Sequence, residues 1–495
     1  MEVTNKKHPV GLYTLFATEF WERFSYYGMR ALLVLYLTES LIGGGFGMDR
    51  SQALEIYGIF TGLVYLTPIL GGLLADKILG QRKAIFIGGI VMAVGQFTLA
   101  SSVSYDMAGD MAMRNFLLYC GLGFLIVGNG FFKPNISTMV GGLYDTNDPR
   151  KDSAFTIFYM GINLGAFLSP FIAGGLGQKI GWHYGYISAG VGMIIGLIWF
   201  YVRRLSLDQV GLPPQRPAHQ SSLVFKDLIN ILTYSLASIL LVVGFIKFIG
   251  IVSESVLDVV IWSAAIAGAL YLLTSIWNGT EGKAQWSRVF VIIVLAVFHM
   301  IFWSGFEQAG GTFNLFAAQN TDRMVLGWDV PASWFQALNP VFIVTLAPLF
   351  SMMWIALAGM GKNPRTPFKF SFGLLLLGLG FIIMIGATTS AEGGALVSPL
   401  WLIAVYFFHT AGELCLSPVG LSMITKLSPP RIVSAMMGLW MGSIALGNYL
   451  AATMEAILEK FDLSLYPFIA TEALVASAIL MLLSPILSKL MHGIH

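Results

Sequence analysis

Glu19, Glu22, Arg23, Tyr26, Tyr27 and Arg30 are the residues of this chain whose types and spacing could do chemistry. They lie in an apolar stretch running from about residue 13 to residue 42. At roughly 100° per residue of helix they occupy an arc of about 140°, leaving the opposite face to leucine, phenylalanine and valine. Each charge costs about 2.5–3.5 kcal/mol or more in hydrocarbon. The polar face must therefore look into a protein interior or a water-filled cavity, and a substrate or ion pathway is the default inference.

Further polar residues interrupt other apolar stretches. The run Gly128-Asn-Gly-Phe-Phe-Lys-Pro-Asn135 sets Lys133 and Asn135 beside glycines and a proline. Pro134 frees backbone carbonyls that need partners. A lysine so placed either snorkels to the surface or faces the cavity, paired to a carboxylate of the first span. Glu307 lies in Phe302-Trp-Ser-Gly-Phe-Glu-Gln308 and Glu413 in Gly412-Glu-Leu-Cys-Leu-Ser-Pro418. An unpaired carboxylate there holds its proton, whereas one beside arginine is charged, so it can switch. Glu19, Glu22, Glu307 and Glu413 stand against Arg23, Arg30 and Lys133, the near balance that mutual pairing requires. A purely structural network would be a costly way to hold a bundle together. His299 and His409 read as neutral histidines satisfied by backbone carbonyls rather than as proton relays.

No His-x-x-x-His or Cys-x-x-Cys spacing suggests a metal, and no phosphate-binding Gly-x-x-x-x-Gly-Lys-Ser/Thr loop suggests ATP. That leaves an ion gradient with carboxylates as proton carriers, and no cofactor. Tyr26, Tyr27, Tyr36, Tyr65, Trp303 and Trp440 each read singly as packing. As a set they suit a pocket tolerant of varied side chains.

The elements that carry these residues follow from composition. The chain has 495 residues, 56% hydrophobic and 11% charged, far below the quarter or so charged in soluble domains. It is expected to be an all-α polytopic membrane protein with fourteen spans of about 20 residues. They include 13–42, 287–318, 332–360 and the pair 223–248 and 257–277. With the N-terminus inside, nineteen of the 28 lysines and arginines fall on the inner side and six, Arg114 among them, on the outer, which puts both termini in the cytoplasm. The divisions expected are a six-helix bundle over 1–204, a cytoplasmic linker at 205–222, an inserted peripheral hairpin over 223–280 and a second six-helix bundle over 281–495. Cys120 and Cys415 sit in apolar sequence and read as buried free thiols.

Glu-x-x-Glu-Arg-Phe-x-Tyr-Tyr-Gly from Glu19 to Gly28 resembles the first-helix signature of the proton-coupled oligopeptide transporters, a branch of the major facilitator superfamily. Gly71-Gly-Leu-Leu-Ala-Asp-Lys-Ile-Leu-Gly80, followed by Arg82 and Lys83, resembles the facilitator signature that locks a cytoplasmic gate. Phe158-Tyr-Met-Gly-Ile-Asn-Leu-Gly165 resembles the family's fifth-span signature, and the Glu307 and Glu413 contexts fit too. The resemblance covers essentially the whole chain. It implies the major facilitator fold with the hairpin that bacterial members insert, a bacterial inner membrane, and a symporter of protons with di- and tripeptides. By it Arg23 and Lys133 would receive the peptide carboxylate and Glu413 the amine. Tyr27, Tyr65 and Asn163 would hydrogen-bond the backbone, Asn339 would be a further substrate-binding residue, and Trp303 and Trp440 would bound the side-chain pockets. Glu19 and Glu22 would pair with Arg23 and Lys133 in proton coupling, and Glu307 would pair with Arg30 and release it on protonation. Animal members carry a histidine where Gly58 aligns here, so coupling must rest on carboxylates. Monomeric function is expected, and no nucleic acid.

A relative moving nitrate or another anion would keep Arg23 and Lys133 but need not keep Glu19, Glu22 or Glu413. A membrane-embedded enzyme would need paired catalytic motifs that the chain lacks. A channel would not give saturable uptake that a protonophore collapses.

Overall fold

The computed structural model describes residues 7–104, 110–145, 148, 150–213, 273–274 and 276–493. The linker from residue 214 and the expected hairpin as far as residue 272 lie outside them, as do the side chains of Asp76 and Lys77. Among the described residues every long element is a helix, and nine helical stretches are long and apolar enough to cross a membrane. A pair of two-residue strands, Met324–Val325 against Trp328–Asp329, is a local hairpin.

The helices are α1 (Val10–Thr38), α2 (Arg50–Leu74), α3 (Gln81–Ser104), α4 (Met111–Gly142), α5 (Lys151–Ser169) and α6 (Trp182–Arg203). After them come α7 (Gly282–Phe306), α8 (Leu338–Gly359), α9 (Thr366–Ser390), α10 (Leu400–Leu427), α11 (Val433–Glu459) and α12 (Leu465–Leu490). The boundaries follow the apolar runs closely. α2 runs on through a π turn, Ala75–Leu79, and stops at Gly80, whose φ of 73° lies in the left-handed region that favours glycine. α5 continues through a second π turn that begins at Pro170, which has no N–H to donate, into Gly175–Lys179.

The stretch 287–318, expected as one span, is two helices. α7 ends at Phe306, Glu307–Ala309 form a 3₁₀ turn, and helix resumes over Thr312–Gln319. Gly310 and Gly311 weaken the helix there. Gln308 fills the gap: its Nε2 donates to the Ala451 carbonyl at 2.7 Å, and its Oε1 accepts from Thr312 Oγ1 at 2.8 Å. A broken helix is tolerated at membrane depth when its freed groups find such partners.

The chain divides into two compact units, Met1–Gly47 with Leu66–Gly250 and Met48–Tyr65 with Ile251–His495. In the first, small residues let helices approach closely. α3 and α4 meet with Gly88 against Gly128 and Gly95 against Gly121, where a Cβ would crowd the facing carbonyl. Gly71 of α2 lies on the Gly130 carbonyl, which loses its usual helical donor because Pro134 stands four residues on. Asn135 Nδ2 donates to the next carbonyl, Phe131, at 2.7 Å. Arg82 of the gate signature ties down the chain after α6: its Nε donates to the Val210 carbonyl at 2.7 Å and its Nη2 to that of Asp208 at 2.6 Å. Arg114, counted among the outer charges, is fully buried. It donates to the Gly45 carbonyl and lies 4.3 Å from the Phe46 ring centroid.

In the second unit α9 and α12 are joined by reciprocal bonds, Ser371 Oγ to the Ser477 carbonyl at 2.9 Å and Ser477 Oγ to the Ser371 carbonyl at 2.8 Å. Gly58 of α2 has no room for a side chain, since a Cβ would overlap Ala452. α8 buries little beyond Pro340 and Ile343, as suits a helix turned to lipid. Cys120 and Cys415 are both buried.

The start of the chain is tied to the loop after α4. Arg150 Nη1 donates to the Lys7 carbonyl at 2.8 Å, and its Nη2 pairs with Asp148 Oδ2 at 2.6 Å. The hydrogen bond from the Arg150 side chain, seconded by its backbone N–H, holds the Asp148 carboxyl down at about 2, against 3.8 for an ordinary aspartate. A depressed carboxyl contributes stability above its unfolded value and loses it as pH falls through the folded one. The tie should therefore be complete above pH 3.8 and gone near pH 2. The protection of the Arg150 amide against exchange, measured relative to its intrinsic rate from pH 5 downward, is expected to fall only in that window; a loss of protection already at pH 5 would refute it.

Candidate functional site

Each unit presents a cluster of its own. In the first, α1 carries Glu19, Glu22 and Arg23, which are 2%, 0% and 4% exposed. Arg23 Nε lies 2.9 Å from Glu19 Oε1 and is also ion-paired with Glu22. α4 supplies the other partners. Asn129 Nδ2 donates to Glu22 Oε1 at 3.1 Å, and half-buried Lys133 is near enough for its charge to act on both carboxylates. Two carboxyls and two basic groups thus share one place in the interior, the arrangement that makes buried ions tolerable. The guanidinium of Arg23 lies over Tyr26, 5.7 Å from its centroid, and that of Arg30 over Tyr27 at the same distance.

Why Arg23 can sit so deep is written in α5. Gly161 and Gly165 face α1 with a turn between them, and a Cβ at Gly165 would overlap the Phe20 carbonyl oxygen and lie 2.9 Å from the Cβ of Arg23. The glycine of the fifth-span motif is the seat of the arginine. Asn163 is 4% exposed, and its Nδ2 donates to the Tyr159 carbonyl of its own helix at 2.9 Å. Gly165→Ala is expected to cost about 1–3 kcal/mol, because the clash is with backbone that cannot swing aside. The thermal midpoint in detergent checks this, and an unchanged midpoint would contradict the packing.

In the second unit Glu413 on α10 meets Asn339 at the start of α8. Asn339 Nδ2 donates to Glu413 Oε2 at 2.9 Å and to Thr410 Oγ1 at 3.1 Å. Both side chains, Glu413 and Asn339, are half-buried, as are Tyr27, Tyr65 and Trp303. Glu307, 4% exposed, sits in the 3₁₀ turn that interrupts α7. Trp440 is packed into the interior, 2% exposed, and stacks on His299 with centroids 3.8 Å apart. His299 Nδ1 is 2.8 Å from Ser443 Oγ, and Trp303 Nε1 donates to His299 Nε2 at 2.8 Å.

Several sequence expectations change here. His299 is satisfied by a hydroxyl and an indole, not by a backbone carbonyl; only His409 bonds to backbone, at Leu377. Tyr36 lines no cavity: it is fully buried among Phe46, Trp182 and Tyr186, with its hydroxyl 3.1 Å from Ser102 Oγ. Tyr26 too is 4% exposed and packed beside Arg23. Asn129, Thr410 and Ser443 went unnoticed in the sequence. Thr410 could have been found, because it stands three residues before Glu413 and so shares its helix face. Arg30 and Glu307, paired by the resemblance, belong to different units, each with the surroundings given above. Among the described residues no group of three or more histidine, cysteine, aspartate or glutamate side chains could hold a metal ion.

The model of the POT family, PTR2, matches residues 82–473. The chain is 38% identical over 501 residues to the peptide transporter YePEPT of Yersinia enterocolitica, covering 98% of this chain and 96% of that one. It is 33% identical over 504 residues to a di-/tripeptide transporter of Lactococcus lactis subsp. cremoris, covering 98% and 97%. A crystal structure of peptide transporter POT in complex with sulfate superposes with a TM-score of 0.84 at 36% identity, over 98% of this chain and 96% of that one.

Proposed function

This chain belongs to the POT family, and on that premise we propose how it works. It is a multi-pass membrane protein that transports peptides, with protons as the coupled ion. Di- and tripeptides enter by alternating access. The observation that carries this reading is the buried constellation of Glu19, Glu22, Arg23 and Lys133, which has no use in a lipid-facing helix.

The residue roles are those the family resemblance implies, and the charges of the site suit them. Arg23 and Lys133 receive the peptide carboxylate, and Glu413, oriented by Asn339, receives the amine. Tyr27, Tyr65 and Asn163 bond the peptide backbone, while Trp303 and Trp440 bound the side-chain pockets. Recognition of the two termini leaves side chains only to fit, so sequence specificity is low. Glu19 and Glu22 exchange protons against the Arg23 and Lys133 charges. Glu307 is the proton-sensitive partner of Arg30: taking a proton, it loses the charge that holds the arginine and shifts the population of states. No cofactor is needed beyond the proton gradient.

The topology we propose has fourteen spans: bundles over 1–204 and 281–495, the linker at 205–222, and the hairpin over 223–280 as a peripheral addition. Both termini are cytoplasmic, on the lysine and arginine asymmetry, and the membrane is a bacterial inner membrane. The chain works as a monomer and binds no nucleic acid.

Uptake of a labelled dipeptide into proteoliposomes, with and without an inward proton gradient, tests the reading. Accumulation above equilibrium, competed by many di- and tripeptides but not by free amino acids, is the expected result. Folded protein that takes up no peptide would overturn it and turn attention to small anions.

A further inference from the structure

We propose that His299 is a positioning residue that sets which peptide side chains are preferred, by holding Trp303 and Trp440 and consuming the only hydrogen-bond donor of Trp303. The proposal rests on the reading of those tryptophans as walls of the side-chain pocket.

The hydrogen bonds leave one assignment. An indole nitrogen can only donate, so the 2.8 Å contact from Trp303 Nε1 makes His299 Nε2 an acceptor. A neutral imidazole with an acceptor at Nε2 carries its proton at Nδ1. That proton goes to Ser443 Oγ at 2.8 Å, and the Ser443 hydroxyl in turn donates to the Trp440 carbonyl at 2.7 Å. One tautomer of one buried ring therefore bridges α7 to α11, and its face is stacked on Trp440 at an interplanar angle of 18°.

Each tryptophan is braced from further sides. Trp440 fits against Gly420, where a Cβ would overlap its ring, and meets Phe370 edge-on. Trp303 meets Phe306 edge-on at 5.1 Å, and Gly447 lies against its Cβ. With its N–H already committed to His299, the half-exposed Trp303 offers a ligand its π face and ring edges but no donor. Such a wall favours apolar and aromatic side chains over amide or hydroxyl side chains, which would lose a hydrogen bond to water without regaining one.

The test compares competition constants of alanyl-phenylalanine and alanyl-glutamine against labelled dialanine uptake, in parent protein and variants. His299→Phe keeps a ring on Trp440 but accepts nothing from Trp303, so the indole N–H becomes free for a substrate amide. The parent is expected to prefer alanyl-phenylalanine, and His299→Phe should narrow that preference by about 3- to 10-fold, the worth of one neutral hydrogen bond. The ratio is read so that any loss of kcat common to all peptides divides out. His299→Gln, whose amide can accept from Trp303 and donate to Ser443, should restore most of the preference. An unchanged ratio in His299→Phe, or no rescue by His299→Gln, would overturn the proposal.

A second readout does not depend on transport. In protein labelled with ¹⁵N-tryptophan, the Trp303 indole N–H resonance, assigned by Trp303→Phe, is expected to move in His299→Phe and to stay near its parent position in His299→Gln. A resonance unmoved in His299→Phe would refute the hydrogen bond itself. A parent protein that takes up no peptide would sink the transport reading, and with it the claim on side-chain preference, whatever the resonance does.

Discussion

Alanine in place of Arg23 is expected to abolish peptide uptake, with kcat/KM falling by about two to three orders of magnitude. The guanidinium is 4% exposed and stands between two carboxylates that are themselves 2% and 0% exposed. Its removal leaves Glu19 and Glu22 in the interior with Lys133 as the nearby cation. Breaking a buried pair in this way costs about 3–5 kcal/mol, because two buried carboxyls are left to share one half-buried cation. The protein avoids that cost by protonating a carboxylate, and the cation that would receive the peptide carboxylate is gone with it. Lysine at this position keeps the charge but not the guanidinium Nε that pairs with Glu19 and Glu22 together, so Arg23→Lys should fall between. Glu19→Gln in the Arg23→Ala background should recover thermal stability, since a neutral amide replaces a carboxyl that must otherwise take up a proton, without recovering uptake. Uptake by folded Arg23→Ala within threefold of the parent would sink the assignment.

Glutamine in place of Glu307 is expected to bring the peptide accumulation ratio to one while leaving counterflow exchange running. Glutamine has nearly the shape of glutamate, so the 3₁₀ turn that interrupts α7 should persist, held as it is by Gln308, Thr312 and the Ala451 carbonyl. What glutamine lacks is a change of charge with pH. A pH difference of one unit is worth about 1.4 kcal/mol for each proton carried, or about a tenfold concentration ratio of peptide. A transporter that still cycles but no longer requires the proton equilibrates its substrate and goes no further. The measurement pairs uphill uptake under an imposed gradient with exchange at equal pH in the same vesicles. Uphill accumulation like the parent's would remove Glu307 from the coupling, and loss of both activities would make its role structural.

The first-helix motif announced itself because hydrocarbon penalises charge so heavily that Glu19, Glu22 and Arg23 could not be incidental. The spans were legible for the same reason, and helix ends fell close to the limits of the apolar runs. Legibility failed where the deciding contacts lie between helices. The break after Phe306 looked like part of one continuous span, because a Gly-Gly pair inside a span is common and only the Gln308 bond to α11 shows that it is used. Tyr36, read singly as packing, is packed, but only Phe46, Trp182 and Tyr186 closing over it take it out of the set that suited a pocket. His299 looked like a histidine awaiting a backbone carbonyl, because neither Ser443 nor the orientation of Trp303 can be read from spacing along the chain.

By itself the amino-acid sequence determined that this is a membrane-spanning helical chain and that α1 turns a charged face inward, since both depend on the composition and period of a single segment. The tertiary structure alone decided which groups satisfy those charges: Asn129 with Glu22 across 107 residues, Asn339 with Glu413 across 74, and His299 with Ser443 across 144. Helical periodicity says which way a side chain points, but the helix it meets is chosen by close packing of glycine-lined surfaces far apart in the chain, and that choice has no local signature.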